Sequence, residues 1–223
     1  MRSLSKRLQE IYNLVPMSSK VADIGTDHAY LPIALSKSGK AKIVIACDIN
    51  ESPLNKAKEN IEKFGQHNIE LRLGDGISPI KENEADTIII AGMGGDVICH
   101  ILSECKWIKN PDVLLLLQPM TSAELLRSFL IDNLFEIEKE VAVSDSSKIY
   151  SVMAVRFTGI KKSYKKGYEF VGEVSNKTSE GKLYIKKQHK RINDCLNQIK
   201  SIKPDQTKNL IEILNYIENF LEK

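Results

Sequence analysis

Four short apolar runs constrain the fold of this chain more than any other feature. They are residues 21–24 (VADI), 43–47 (IVIAC), 86–91 (DTIIIA) and 113–118 (VLLLLQ). Each is strand-length, rich in branched aliphatic residues and followed by a stretch with helical spacing. Apolar residues on both faces of a strand require cover on both faces, which is the environment of a parallel sheet between helix layers. Residues 69–73 read as a further strand ending at Gly74-Asp75-Gly76. Residues 135–143 and 150–157 alternate in polarity around a polar turn at 144–147, and are expected to form an antiparallel pair at the sheet edge. The expected class is therefore α/β, with a mostly parallel, Rossmann-like sheet of seven strands. In such sheets ligands bind outside the carboxyl ends of the strands. Asp27, Asp48, Asp75 and the glycines at 92–95 all follow strand ends, so one crevice should collect them.

The intervening helices carry their own punctuation. Leu4, Leu8, Ile11, Tyr12 and Val15 share a helical face after Ser3, a candidate cap, and Pro16 closes the helix. Its polar face carries Lys6 and Arg7, which are either solvated or placed for phosphate contact beside the first strand. Helices are also expected at 29–35, at 52–64 with Pro53 in the first turn, at 97–105, and at 122–133 with Ser122 as cap. Pro119 should stop the fourth apolar run.

Beyond residue 157 the composition changes. Residues 161–166 between Gly159 and Gly167 read as a basic linker. From Gly181 onward Ile185, Ile192, Leu196 and Ile199 form one apolar stripe, a turn is expected at Pro204-Asp205, and Leu210, Leu214, Ile217 and Leu221 form a second stripe. Residues 1–158 are thus expected to form the sheet domain, and 159–223 a linker and a coiled-coil-like helical hairpin. The stripes could pair within or between chains; a monomer is expected. Residues 160–203 hold twelve Lys and Arg against four Asp and Glu, a local charge of +8 within a chain of net +3. A basic arm on a near-neutral body suits a polyanionic partner.

Cys47, Cys99, Cys105 and Cys195 form no CxxC pair and lie in apolar or helical contexts, so core thiols and no metal site are expected. No signal-peptide pattern opens the chain and no apolar run approaches the ~20 residues of a membrane span. A soluble, cytoplasmic protein without a membrane partner is the expectation.

The chemistry centres on residues 21–30 (VADIGTDHAY). Gly25 allows a sharp exit from the first strand, and Asp23 and Asp27 flank the turn. A dinucleotide site wants GxGxxG for close pyrophosphate approach, but Asp27 stands where a second glycine would be. A carboxylate there repels a pyrophosphate and attracts the amino group of S-adenosyl-L-methionine. A dehydrogenase is disfavoured accordingly. Asp48 follows the glycine turn by roughly 20 residues, the placement of a ribose-binding carboxylate. Gly74-Asp75-Gly76 could set a carboxylate against an adenine amino group, although this tripeptide is also ordinary turn chemistry.

The segments DIGTDHAYLP (23–32), GDG (74–76), AGMGG (91–95) and LQP (117–119) resemble the bacterial tRNA (adenine(22)-N1)-methyltransferase family, and the resemblance covers the whole chain. It implies a class I methyltransferase fold, S-adenosyl-L-methionine as cofactor, tRNA as partner, and methyl transfer to N1 of adenine 22. The cofactor set on this reading is Asp23, Gly25, Asp27, Asp48, Ile49, Asp75, Gly76, Ala91 and Gly92. Asp27, His28, Tyr30 and Met93 are the candidates for catalysis: a proton acceptor among Asp27, His28 and the backbone at 91–93, a stacking surface at Tyr30, and a pocket wall at Met93. Core or capping roles compete for His28, Tyr30 and Met93. RNA contacts are assigned to Lys6, Arg7, Tyr30, Gln118, Lys186, Lys187, Lys190 and Arg191; Gln118 would meet a base edge or tie down its loop. A methyltransferase for another RNA site or a non-RNA substrate, and a non-catalytic binding module, are the alternatives.

Overall fold

The computed structural model describes residues 3–199 and 204–221. The elements in chain order are α1 (Lys6–Leu14), β1 (Ser19–Ile24), α2 (Tyr30–Lys37), β2 (Ala41–Asp48), α3 (Glu51–Phe64), β3 (Ile69–Leu73), β4 (Thr87–Gly94), α4 (Gly95–Ser103), β5 (Leu114–Thr121), α5 (Ala123–Asp132), β6 (Phe135–Asp145), β7 (Lys148–Phe157), α6 (Tyr168–Val171), α7 (Ser179–Ile199) and α8 (Pro204–Leu221). The strands form one seven-stranded sheet in the order β3-β2-β1-β4-β5-β7-β6. β1 to β5 are parallel; β7 and β6 are antiparallel and close one edge.

The apolar runs alternate between two cores, as a period of two requires. Ile88 and Ile90 face α4 and α5 together with Ile24, Leu115 and Leu117. Ile89 faces the opposite layer with Val21, Val44 and Leu116, under Ile11 of α1 and Leu31 and Leu35 of α2. The chain winds outward through β1, β2 and β3, then crosses back to β4 beside β1. That reversal opens a crevice at the carboxyl ends of β1 and β4, the usual ligand position in a doubly wound sheet.

Several local expectations change. Ser5, not Ser3, caps α1, accepting a hydrogen bond from Leu8 N at 3.4 Å. β4 does not stop at Ala91: it continues to Gly94, with Gly92 thrown out of register between Ala91 and Met93. Gly92 adopts φ +80°, which only a glycine takes at low cost. Pro119 does not end β5. The β5–β7 ladder is already over at Leu117, so the missing Pro119 N–H costs no bond on that side. Ser122 precedes α5 but sits at φ +53° and makes no capping hydrogen bond. Pro204 opens α8 instead of making a turn, consistent with proline's fit at a first helical position; residues 200–203 lie outside the described residues. Cys47, Cys99 and Cys105 are buried, but Cys195 is exposed on α7.

The two apolar stripes of the appendage meet within one chain. Ile185 and Ile192 of α7 share a core with Ile213, Leu214 and Ile217 of α8. That core also takes in Tyr184, Val171 of α6 and Ala142 of β6, so the stripe is wider than a two-helix seam and seats the hairpin against the sheet edge. The deepest tie is polar. The fully buried Arg127 of α5 pairs with Glu140 of β6 at 2.6 Å and donates to Tyr184 Oη of α7 at 2.7 Å and to Glu169 O of α6 at 2.7 Å.

Candidate active site

The turn after β1 is strung across the end of β2. Gly25 N and Thr26 N both donate to Cys47 O, at 2.8 and 2.9 Å. Gly25 (φ +76°), Asp27 (φ +42°) and Ala29 (φ +56°) all take left-handed backbone within a short stretch. Two of these are not glycine, so the loop holds strain of the kind found at ligand sites. A Cβ at Gly25 would push Met93 Cε aside, and the positive φ of +76° is what favours glycine where β1 and β4 approach. Gly74 N donates to Asp48 O at 3.0 Å and so draws the end of β3 to the end of β2. Gly76, at φ +52°, packs its bare Cα side over Ile101.

Two hollows result. One, of about 410 Å³, is lined by Asp48, Ile49, Asp75, Gly76, Met93 and Val97 among others. Its floor is apolar and unusually open for such residues: Ile49 is 59% exposed and Val97 44%. Its rim carries two carboxylates, with Asp48 Oδ1 already accepting from Asn50 N at 2.9 Å. The second hollow, of about 240 Å³, is lined by Arg7, Asp23, Asp27, His28 and Tyr30 among others. The two share Gly25, Ala91 and Gly92, which form the sill between them.

The electrostatics of the second hollow are set by burial. Asp23 is only 6% exposed. Burial pushes its carboxyl up to about 6, and the nearby charge of Asp48 adds to the rise. Asp27 is by contrast exposed, with His28 Nε2 3.7 Å from its Oδ1. The His28 and Tyr30 rings lie 5.4 Å apart at a 37° tilt, both facing the hollow. Arg7 does not lie on a solvated helix face. Its Nε pairs with Asp145 at 2.9 Å, its Nη1 donates to Gln118 Oε1 at 2.5 Å, and its Cζ lies 5.3 Å from the Tyr150 ring centre.

The structure thus brings together every residue of the expected cofactor set, together with Tyr30, His28 and Met93. It separates Gln118 from them in role. Gln118 is fully buried, and its Nε2 donates to Pro119 O at 2.8 Å. With both ends of the amide engaged it holds Arg7 and its own loop and presents nothing to a base edge. Lys6, Lys186, Lys187, Lys190 and Arg191 are exposed. Arg191 pairs with Glu124 at 3.1 Å, and Lys187 donates to Ile149 O at 3.2 Å, so these two side chains stand at the junction of α7 with the sheet. Sequence reasoning missed Asp145 and Tyr150, which orient Arg7, and Val97 and His100, which line the larger hollow. Val97 and His100 follow the AGMGG glycines on the first turns of α4, and that adjacency was the signal that could have found them.

A family model for a methyltransferase domain matches residues 4–153. The tRNA (adenine(22)-N(1))-methyltransferase of Bacillus subtilis is 41% identical over 151 residues, which is 67% of this chain and 63% of that protein. The crystal structure of the B. subtilis M1A22 tRNA methyltransferase TrmK superposes with a TM-score of 0.86 at 29% identity, covering 99% of this chain and 100% of that one. This chain belongs to the TrmK family. The structure of M. capricolum TrmK with S-adenosyl-homocysteine is similar as well, with a TM-score of 0.81, 29% identity, and coverage of 97% of this chain and 99% of that chain. The sequence match to the B. subtilis relative therefore spans a little under two thirds of that protein, while the structural matches run over nearly all of both chains. Among the described residues no group of three or more His, Cys, Asp and Glu could hold a metal ion, and no helix is long and apolar enough to cross a membrane.

Proposed function

We propose that this protein transfers a methyl group from S-adenosyl-L-methionine to N1 of adenine 22 in tRNA. The observation that carries the reading is the pair of hollows joined at Gly25, Ala91 and Gly92, one lined by apolar side chains with Asp48 and Asp75 and the other by His28 and Tyr30 with Asp23 and Asp27. The fit to the cofactor rests on the larger hollow. Exposed Ile49 and Val97 offer apolar cover for a purine, and Asp48 and Asp75 on the rim offer acceptors for ribose hydroxyls and for an exocyclic amine. Asp23, behind the sill, offers a carboxylate to the donor's ammonium group. Bound there, S-adenosyl-L-methionine supplies a methyl group already activated on a sulfonium.

The chain's own work is alignment. N1 of adenine carries an in-plane lone pair at neutral pH, so no base is needed before transfer. Holding that lone pair in line with the methyl carbon supplies much of the acceleration. Tyr30 and His28 provide an aromatic wall against which an extruded adenine stacks, a contribution of about 1–3 kcal/mol per base. Met93 packs its side-chain end beside Gly25 and walls the larger hollow at the sill. After transfer the ring is cationic and its N6 proton is acidic; the exposed Asp27 carboxylate, beside His28, is the acceptor within reach. Lys186, Lys187, Lys190 and Arg191 on α7, with Lys6 on α1, supply the field that draws tRNA toward the crevice.

The test is single-turnover transfer of labelled methyl to an unmodified tRNA transcript and to the same transcript with adenine 22 changed to guanine. Label on the first and none on the second is expected. Equal labelling of both, or label on neither, overturns the reading.

A further inference from the structure

The turn between β1 and α2 is anchored in two halves by two different elements. Its first half hangs from β2: Gly25 N and Thr26 N donate to Cys47 O, and Gly25 stands at the sill of the larger hollow. Its second half faces the smaller hollow, which Asp27 and His28 line. Here His28 sits between two non-glycine residues in left-handed backbone, Asp27 at φ +42° and Ala29 at φ +56°. Such a conformation persists only where the surroundings hold it in place. One local bond closes this half, from Ala29 N to Thr26 O at 2.9 Å. The other hold comes from α3, 32 residues along the chain: Asn60 Nδ2 donates to His28 O at 3.0 Å. A carbonyl can only accept, so the amide must present its NH2 group to it. Ala57 and Ile61 share a helix face with Asn60 and pack against Ala29 and Ile33, all four buried. α3 therefore grips the strained half at two points, one apolar and one polar.

From this arrangement we propose that Asn60 is a positioning residue for the acceptor base. It lines neither hollow, so it acts through the loop. By fixing the His28 carbonyl it fixes the direction in which the chain leaves Asp27 and enters α2. That sets the aromatic wall of His28 and Tyr30, whose rings lie 5.4 Å apart, and the Asp27 carboxylate beside it. Transfer needs the adenine lone pair in line with the methyl carbon, and a displacement of about 1 Å in such an alignment costs up to about a hundredfold in rate. The cofactor's side of the turn keeps its own anchor at Cys47 O. Loss of the Asn60 bond should accordingly slow transfer and leave the hold on S-adenosyl-L-methionine as it was. This inference rests on the methyl-transfer reading above and adds to it a residue that the reading does not use.

The experiment uses the full chain and an unmodified tRNA transcript. Asn60→Ala removes the donor. Asn60→Asp keeps the side chain's shape but sets a carboxylate, which accepts only, against the His28 carbonyl. Glu59→Ala, an exposed neighbour on the same helix, is the control. Both Asn60 variants should slow single-turnover transfer at saturating cofactor and tRNA by about tenfold or more, with cofactor affinity by calorimetry unchanged. Glu59→Ala should match the wild type in both measurements. A double-mutant cycle separates positioning from general destabilisation. Asn60→Ala should cost much less rate in a Tyr30→Ala background than alone, whereas a residue that merely supports the fold gives additive losses. Amide hydrogen exchange supplies a readout without activity: the Ala29 N–H should exchange faster in Asn60→Ala, with the Gly25 and Thr26 N–H groups as protected as before. A full transfer rate in Asn60→Ala, additive losses in the cycle, an equal loss of cofactor affinity, or faster exchange spread evenly through the sheet overturns the clamp. If Ala29 alone loses protection but the wild type transfers no methyl, the methyl-transfer reading fails and the clamp on the loop stands. If the wild type transfers methyl and Asn60→Ala does so equally well, only the clamp fails.

Discussion

Replacing Asp23 by asparagine should stabilise the apoprotein at neutral pH while weakening its hold on the cofactor. Asp23 is buried, and its carboxyl is raised from 3.8 to about 6 in the folded state. The folded chain therefore binds a proton that the unfolded chain has already lost across that interval. Stability from this group is present in full below pH ~4 and is lost as pH rises through 6. A displacement of roughly two units amounts to about 3 kcal/mol above pH 6, at about 1.4 kcal/mol per unit. The asparagine amide is uncharged at all pH values and escapes that loss. Urea unfolding of both proteins between pH 4.5 and 8 should show a gap in favour of Asp23→Asn that widens with pH and levels off above 6. Calorimetry of cofactor binding should show the reverse preference. In the wild type, binding near pH 6 should release protons, seen as a dependence of the heat on the buffer's ionisation enthalpy. A stability gap that does not change with pH would refute the reasoning, because it would mean Asp23 titrates normally.

Other changes probe other parts of the site. Asp48→Ala and Asp75→Ala should each weaken cofactor binding by calorimetry with little change in unfolding midpoint, since both carboxylates sit on the rim of the hollow. Gly25→Ala should displace Met93 and lower transfer activity sharply, and left-handed backbone at that position adds about 1–2 kcal/mol of destabilisation measurable by denaturation. Arg127→Ala leaves the buried Glu140 without its partner and should cost about 3–5 kcal/mol in unfolding free energy. Joint replacement of Lys186, Lys187, Lys190 and Arg191 by Glu should lower tRNA affinity and flatten its salt dependence while cofactor binding persists.

The crevice was legible in the sequence because strand ends are. An apolar run that stops at Asp or Gly announces both the end of a strand and a polar group beside it, and this drew Asp27, Asp48, Asp75 and Gly92 to one crevice, whereas Ala91, which lies within β4, was pointed to only by the family resemblance. The role of Arg7 was not legible. Its partners Gln118 and Asp145 lie 111 and 138 residues away, and no local period encodes such pairs. Pro119 misled for a related reason: proline ends a strand only where its N–H is needed, and the early end of the β5–β7 ladder is a tertiary fact. The helical stripes were read correctly as partners for one another. Their second contact, with β6 and α6 through Ala142 and Val171, depends on the buried Arg127–Glu140 pair, whose two residues look like surface charges in the sequence.

A crystal structure of this protein with S-adenosyl-homocysteine bound would decide most. The ribose hydroxyls should lie on Asp48, the adenine between Ile49 and Val97 with its amine toward Asp75, and the amino-acid tail should reach past Gly25 toward Asp23. Density for the ligand anywhere other than the crevice between β1 and β4, or in it with Asp48 and Asp75 untouched, would contradict the assignment of that crevice to the methyl donor.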